Sequence, residues 1–307
     1  MTSPQPDCLM QTAPATVETV FRRLAGTFRQ NGIATPALDA RLLVCRACGI
    51  SHEQFVAMPE RPVGAPQAAL IDEFEQRRLS GEPVSRLVGR REFSGLPFGL
   101  GPATLDPRPD TETVVEAVIE LARETRAPTS GTLRILDLGT GTGCILLSVL
   151  HELESATGVG TDISERAISV AQANASRLKL DRRASFICGR WLDAVKGEFD
   201  LVVANPPYIR SDQIAGLEPE VARFDPRVAL DGGTDGLEAY RQIIPQLNAV
   251  LRPGGWAVFE VGAGEASEVG DIMRANRISL TQSDTRRWRD LSGHIRCVAG
   301  RLPKKGG

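Results

Sequence analysis

The segment Arg134-Ile135-Leu136-Asp137-Leu138 runs directly into Gly139-Thr140-Gly141-Thr142-Gly143 and then into the apolar stretch Cys144 to Leu150. This order predicts a strand, a glycine-rich turn and a helix. Glycines permit positive φ and let a ligand approach the backbone closely, and the N-terminus of the helix beyond offers free N–H groups. The first strand is expected over 133–138, with others at 158–161, 184–188, 199–204, 255–261 and 294–301. Helical segments fill the gaps; one is capped by Ser164 and runs through Ala175. The turn Arg252-Pro253-Gly254-Gly255 reads as a loop leading into the strand from Trp256 to Val261. Such alternation implies an α/β fold, with a mainly parallel sheet covered by helices on both faces.

The first ninety residues follow a different pattern. Val17 to Asn31 places apolar residues at 17, 20, 21, 24, 25 and 28, a helical stripe closed by Gly32. Leu38 to Cys48 repeats the pattern up to Gly49, and a third helix is expected over Ala65 to Leu79. Arg91 to Leu100 alternates apolar residues around Gly-Pro punctuation, which suggests a hairpin. The expected division is a helical domain over 1–90, a hairpin linker over 91–104 and a catalytic domain over 105–307. A short loop, Ala127 to Gly131, precedes the first catalytic-domain strand.

Charges nearly cancel, with 36 basic residues against 38 acidic, so no global field draws in a polyanion. The first 90 residues carry 10 basic and 9 acidic side chains, which argues against a phosphate-binding surface there. No segment approaches the roughly 20 apolar residues of a membrane span. Met1 to Thr12 lacks the basic and apolar blocks of a leader, so a cytoplasmic protein is expected. Six cysteines are scattered through the chain, and reduced thiols are the default. Cys45, Cys48 and His52 have metal-like spacing, but no second pair lies nearby and a helical apolar pattern surrounds them. Helix packing is the favoured reading, and no metal is expected.

The apolar run Leu201 to Ala204 ends at Asn205-Pro206-Pro207-Tyr208, where a buried strand should give way to a loop. Open α/β sheets place their ligands at such strand ends. Consecutive prolines fix φ near about −65° and donate no hydrogen bond, so the Asn205 side chain and the Pro206 carbonyl form a rigid pair of acceptors. A rigid acceptor pair suits an –NH2 group. Tyr208 adds an aromatic face that either stacks on a flat substrate or packs against its own loop, and stacking is the favoured reading. Asn205, Pro206 and Tyr208 are the candidate catalytic residues, and with Pro207 they are the candidate substrate contacts.

Gly139, Thr140, Gly141, Thr142 and Gly143 are the candidate cofactor cradle. The strand at 158–161 ends at Asp162, whose carboxylate can accept from both hydroxyls of a ribose. Dinucleotides and S-adenosylmethionine compete for such a site. Asp137 would repel a pyrophosphate beside it but suits a cationic methionine end, and the alternating glycines depart from the dinucleotide fingerprint. S-adenosylmethionine is therefore the expected cofactor. Asp137 either contacts it or bonds the turn's own N–H groups.

With these residues in view, the chain resembles the PrmC/HemK family of protein-(glutamine-N5) methyltransferases that modify peptide-chain release factors. The likeness spans most of the chain. Besides the two motifs above it includes Glu92-Phe93-Ser94-Gly95-Leu96, Pro107-Arg108-Pro109-Asp110-Thr111-Glu112, Phe224 to Leu230 and Gly232-Gly233-Thr234-Asp235-Gly236-Leu237. The resemblance implies a class I S-adenosylmethionine-dependent methyltransferase domain, Rossmann-like, with a mostly parallel seven-stranded sheet and one antiparallel strand near its edge. It also implies a small N-terminal all-helical domain for substrate recognition. By resemblance, Gly139 to Gly143 wrap the methionine end of the cofactor, Asp162 takes the ribose, Trp191 lies against the adenine, and Asn205 to Tyr208 hold the substrate. The implied partner is a class 1 release factor, methylated at the glutamine of its Gly-Gly-Gln motif, by an enzyme expected to be monomeric. Asp106 and Asp110 depart from the family's usual apolar residue and glutamate. The segment 107–112 is either a helix entry capped by Asp110 or Thr111 or a part of the cofactor side.

Three rival readings stand beside this one. A nucleic-acid amino-methyltransferase would share the Asn-Pro-Pro-Tyr loop, but five percent aromatics and no Lys/Arg track weigh against it. A ribosomal-protein glutamine methyltransferase would share the same catalytic residues. A silent cofactor-binding module would have no need of the complete set of site residues.

Overall fold

The computed structural model describes residues 15–125, 132–279 and 285–304. The loop over 127–131 and the segment Met1 to Thr12 read from the sequence lie outside them. Internal contacts divide the chain into two units that meet in sequence at Val88 and Gly89.

The N-terminal unit holds helices α1 (Val17–Gln30), α2 (Pro36–Cys48), α3 (His52–Ala57), α4 (Ala65–Leu79) and α5 (Val84–Val88). The three longer helices fall where the apolar stripes predict them. Thr16 caps α1 in a reciprocal arrangement with Thr19, and Gly49 closes α2 in a left-handed conformation. Val20, Leu24 and Phe28 of α1 pack with Leu43, Val44, Ile71 and Phe74 into the core of this unit. One buried ion pair crosses that core, with Arg78 donating to Asp39 at 2.8 Å. Cys45 and Cys48 lie half-buried on α2 while His52 on α3 is exposed, and no metal-binding cluster occurs among the described residues.

The C-terminal unit opens with the hairpin β1 (Arg90–Phe93) and β2 (Leu96–Gly99). Its two-residue turn, Ser94-Gly95, has positive φ at both positions, the geometry that matches strand twist. The hairpin is built into this unit. Phe93 and Phe98 meet edge to face with ring centroids 6.1 Å apart and are buried in the same core as the sheet. Asn174 accepts from the Gly99 N–H at 2.8 Å and donates to the carbonyls of Gly99 at 3.1 Å and Thr142 at 2.9 Å.

Beyond the hairpin come α6 (Glu112–Glu124), β3 (Arg134–Leu138), α7 (Cys144–Glu152), β4 (Thr157–Asp162), α8 (Glu165–Arg177), β5 (Ala184–Cys188) and β6 (Phe199–Ala204). They are followed by α9 (Pro219–Phe224), α10 (Glu238–Ile243), β7 (Leu251–Glu260), α11 (Ala266–Ala275), β8 (Arg286–Arg289) and β9 (Ile295–Arg301). Among the described residues the sheet has seven strands in the order β5-β4-β3-β6-β7-β9-β8, with β9 antiparallel to both its neighbours and the first five parallel. Alternate residues of the central strands serve opposite faces. Ile135, Leu201, Val203 and Val258 pack under α6 and α7, while Leu136, Val202, Ala257 and Phe259 pack under α10 and α11. Burial on both faces explains why these strands read as continuous apolar runs.

Two differences from the sequence reading are local. Arg252 to Gly255 lie inside β7, as an irregularity where Phe199 faces Leu251 but Leu201 faces Trp256. Edge strand β8, Arg286-Arg287-Trp288-Arg289, carries too much charge to read as a strand, and charged residues are how exposed edges avoid further pairing. No described helix is long and apolar enough to cross a membrane.

Replacing Asn174 with alanine removes the ties from α8 to the hairpin and to the Thr142 carbonyl. The transition of the C-terminal unit in urea should shift by about 1–3 kcal/mol, the cost of leaving buried backbone groups unpaired. A shift within experimental error would show that these three hydrogen bonds contribute little to holding the hairpin.

Candidate active site

The strand order reverses between β3 and β6, which lie side by side and parallel, with Leu138 opposite Ala204. At such a reversal the loops leaving the two strands diverge and open a crevice. Here those loops are the glycine turn after Leu138 and the Asn205 loop after Ala204. A cavity of about 310 Å³ lies between them. Gly139 to Thr142, Asp162, Trp191, Asn205 and Pro207 line it, as does Thr111.

The turn takes its shape from glycine. Gly139, Gly141 and Gly143 all have positive φ, at 72°, 55° and 79°, which side-chain-bearing residues adopt only with strain. Asp162 holds the turn in place. Its two oxygens accept from the N–H groups of Gly141 and Ser164, each at 2.9 Å. Burial raises its pKa against those two bonds. Asp137 lies at the end of β3, beneath the cavity and outside its lining, and accepts from the Thr140 hydroxyl at 2.6 Å. Burial pushes its carboxyl up to about 7, opposed by Thr140 and by the nearby Leu146 N–H. Its other oxygen, Oδ1, is buried and makes no hydrogen bond of normal geometry. Trp191 stands over Gly139 with φ 46°, a strained value for a non-glycine residue, and its indole N–H donates to Gln242 Oε1 at 2.9 Å.

On the other side of the cavity, Asn205 Nδ2 donates to Thr111 Oγ1 at 3.3 Å. Its Oδ1 and the carbonyl of the buried Pro206 accept no hydrogen bond from the described residues. Tyr208 does not line the cavity; its hydroxyl donates to Glu260 Oε1 at 3.3 Å. Burial pushes the Tyr208 phenol above its usual range, and the nearby Glu260 adds to the effect. Glu260 ends β7 and is 1% exposed. Burial pushes its carboxyl up to about 7 against the hydrogen bonds from Thr111 and Tyr208.

The remaining motifs hold this loop in position. A Cβ on Gly232 would stand 2.8 Å from Tyr208 Cα and 2.9 Å from the Pro207 carbonyl, so only glycine lets the two backbones pass. Arg108 pairs with the buried Asp225, which also accepts from the Asp106 N–H at 3.2 Å. Asp110 faces Arg296 at 3.1 Å, and Glu112 accepts from the Ser94 N–H of the hairpin turn at 2.9 Å. Neither Asp110 nor Thr111 caps α6 with its side chain. Sequence reasoning overlooked Glu260 and Gln242. A carboxylate at the end of the otherwise apolar run Trp256 to Val261 was the available signal for Glu260, whereas Gln242 on an amphipathic helix gave none.

This crevice, at the switch point of a seven-stranded sheet whose third strand from one edge ends in a glycine turn, defines the class I methyltransferase fold. Residues 129–285 match a methyltransferase domain family, and residues 19–89 match the PrmC N-terminal domain. A release factor glutamine methyltransferase of Bradyrhizobium diazoefficiens is 44% identical over 285 residues, spanning 93% of this chain and 94% of that protein. One from Rhodospirillum rubrum is 45% identical over 270 residues, spanning 88% of this chain and 80% of that protein. Among solved structures, the hMettl16 catalytic domain in complex with MAT2A 3′UTR hairpin 6 aligns with TM-score 0.55 at 16% identity, over 79% of this chain and 84% of that one, a likeness of fold alone. The chain belongs to the release factor glutamine methyltransferase family.

Glu260 gives the site a measurable pH signature. Its folded pKa of about 7 lies above the ordinary 4.5, so between those values the folded protein keeps a proton that the unfolded chain releases. The stability it contributes is full below 4.5 and is lost as pH rises through about 7. Glu260→Gln should flatten part of that decline in melting temperature. An unchanged slope would show that Glu260 titrates normally.

Proposed function

We propose that this chain transfers a methyl group from S-adenosylmethionine to the side-chain amide nitrogen of the glutamine in the Gly-Gly-Gln motif of class 1 peptide-chain release factors, giving N5-methylglutamine. The observation that carries this reading is Asn205 at the wall of a cavity opposite the glycine turn, with its Oδ1 and the adjoining Pro206 carbonyl both unspent. The names of these relatives support the release factor as substrate.

The residues present fit the cofactor. The turn is open along its glycines, Trp191 offers a ring face at the cavity wall, and Asp162 keeps lone pairs beyond the two it gives to backbone. The buried Asp137 carboxyl, whose Oδ1 has no hydrogen-bond partner among the described residues, suits the positively charged methionine end. When bound, S-adenosylmethionine supplies an electrophilic methyl on a sulfonium. Gly139, Thr140, Gly141, Thr142 and Gly143 would hold its amino-acid end, with Asp162 at the ribose and Trp191 at the adenine.

A glutamine amide nitrogen is a weak nucleophile because its lone pair is delocalised into the carbonyl. Abstraction of a proton before bond formation is unfavourable near neutral pH, so positioning has to do most of the work. Asn205 Oδ1 and the Pro206 carbonyl accept the two N–H groups, turn the nitrogen toward the methyl and stabilise the positive charge that grows on it. With the methyl delivered from the bound sulfonium, the amide nitrogen would carry one proton too many, and that proton, held against the same acceptors, would pass to water. Pro206 and Pro207 keep the acceptors rigid. The helical domain over 1–90 serves substrate recognition, and the enzyme acts as a monomer in the cytoplasm.

Mass spectrometry of purified release factor after incubation with the protein and S-adenosylmethionine should show one added methyl on the Gly-Gly-Gln glutamine. Transfer to a ribosomal protein or to nucleic acid instead would replace the proposed substrate. Asn205→Ala should lower the rate by about 10²–10³, as loss of a positioned polar group does, while calorimetry finds cofactor affinity largely kept. Equal loss of both would remove Asn205 from its assigned role.

A further inference from the structure

Trp191 carries a backbone that few side chains accept: its φ of 46° lies in the left-handed region, which a bulky residue occupies only under strain. Two hydrogen bonds from other elements hold it there. The hydroxyl of Thr161, near the end of β4, donates to the Trp191 carbonyl at 3.1 Å, and Gln242 Oε1 on α10 accepts the indole N–H at 2.9 Å. The first bond fixes the backbone and the second fixes the ring. The ring edge then stands over Gly139, where an added Cβ would lie 3.6 Å from it, and Trp191 and Gln242 both line the cavity.

The chemistry of its neighbours sets the polarity of the Gln242 carboxamide. Trp191 Nε1 and Arg190 Nη2 are donors with no lone pair to offer, and they reach the same end of the amide at 2.9 and 2.8 Å. That end is therefore the oxygen. The NH2 group points the other way and donates to Glu238 Oε1, one turn earlier on the same helix, at 3.1 Å. Both lone pairs of Oε1 are spent on these two donors, so none remains for the amino group of an adenine. Gln242 thus acts on a cofactor through the indole. An aromatic wall already in place spares a ligand the cost of ordering it. Among the described residues the indole N–H has no other acceptor, so loss of this bond frees a ring whose backbone is already strained.

We propose that Gln242 is a positioning residue for cofactor binding: through the single N–H of Trp191 it holds the indole as a preformed wall of the adenine pocket. The inference rests on the reading of Trp191 as the adenine contact. Gln242 belongs to the connection between β6 and β7 and Trp191 to the segment after β5, 51 residues apart, so the wall forms only when both segments are packed. Gln242→Leu keeps much of the side-chain volume but has no acceptor, whereas Gln242→Glu keeps an acceptor oxygen. Trp191→Phe keeps a ring without an N–H.

The test measures affinity for S-adenosylhomocysteine, the demethylated product of the cofactor, by calorimetry, together with KM for S-adenosylmethionine, kcat for release factor methylation and melting temperature. Gln242→Leu should weaken binding by about 3- to 10-fold, the loss of one hydrogen bond, and raise KM by a similar factor while kcat at saturating cofactor changes less. Gln242→Glu should recover most of the affinity. In a double-mutant cycle Gln242→Leu should add nothing to Trp191→Phe, because the bond it removes is already gone. Wild-type affinity in Gln242→Leu, or full additivity with Trp191→Phe, overturns the inference. So does a joint fall in melting temperature and affinity that Gln242→Glu fails to reverse. Trp191→Ala distinguishes the inference from the reading beneath it. Affinity kept in Trp191→Ala takes Trp191 away from the adenine and overturns that reading and the inference with it, whereas affinity lost in Trp191→Ala but kept in Gln242→Leu overturns the inference alone.

Discussion

The site depends on the parallel pairing of β3 with β6, which sets Leu138 beside Ala204 and so places two loops of different chemistry at one end of the sheet. One carries glycines in left-handed conformations, and the other carries a side chain and a carbonyl locked by proline. The pairing is held by burial on both faces, since Leu136, Leu138, Val202 and Ala204 on one side and Ile135, Leu201 and Val203 on the other are all wholly inaccessible. A register slip would carry these residues to the wrong layers, and the cores on both sides resist it.

Around that pairing, residues from distant motifs, Thr111, Gly232 and Glu260, meet at the Asn205 loop. Each contact is of a different kind. Gly232 yields space to the backbone at Pro207 and Tyr208, Glu260 accepts from the Tyr208 hydroxyl, and Arg108 joins Asp225. Glu112 reaches back to Ser94, so the hairpin is tied to the same segment that contacts Asn205. An arrangement of this kind limits the motion of a loop whose task is to orient a weak nucleophile.

Electrostatics at the site follow from burial more than from ion pairing. Asp137 and Glu260 both carry pKa values of about 7 because their carboxyls are cut off from water; among the described residues neither is in an ion pair, though the Arg296 charge opposes the shift at Glu260. The charge imbalance lies near where a cationic cofactor and a developing cationic nitrogen are proposed to sit. Retaining a costly buried carboxyl in such a place is more economical to explain by that chemistry than by stability.

Much of the fold could be read from the chain because its signals are local. The apolar stripes of α1, α2 and α4, the runs of β3 to β6 and the glycine turn each need only a short window, and all appear where the periodicity predicts them. Charged β8 and the irregular start of β7 escaped such reading, because the pairing of a strand is decided by its neighbours. At the site, the sequence by itself determined the chemical inventory: the rigid acceptors of Asn-Pro-Pro-Tyr, the open glycine turn and the carboxylate of Asp162. Only the tertiary structure decided how that inventory is oriented. It turned Tyr208 toward Glu260, gave Asp162 two backbone N–H groups to hold, and set Thr111 against Asn205 across 94 residues of chain. The physical reason is that a hydrogen bond depends on where donor and acceptor meet in space, and that meeting is fixed by how the sheet and helices pack.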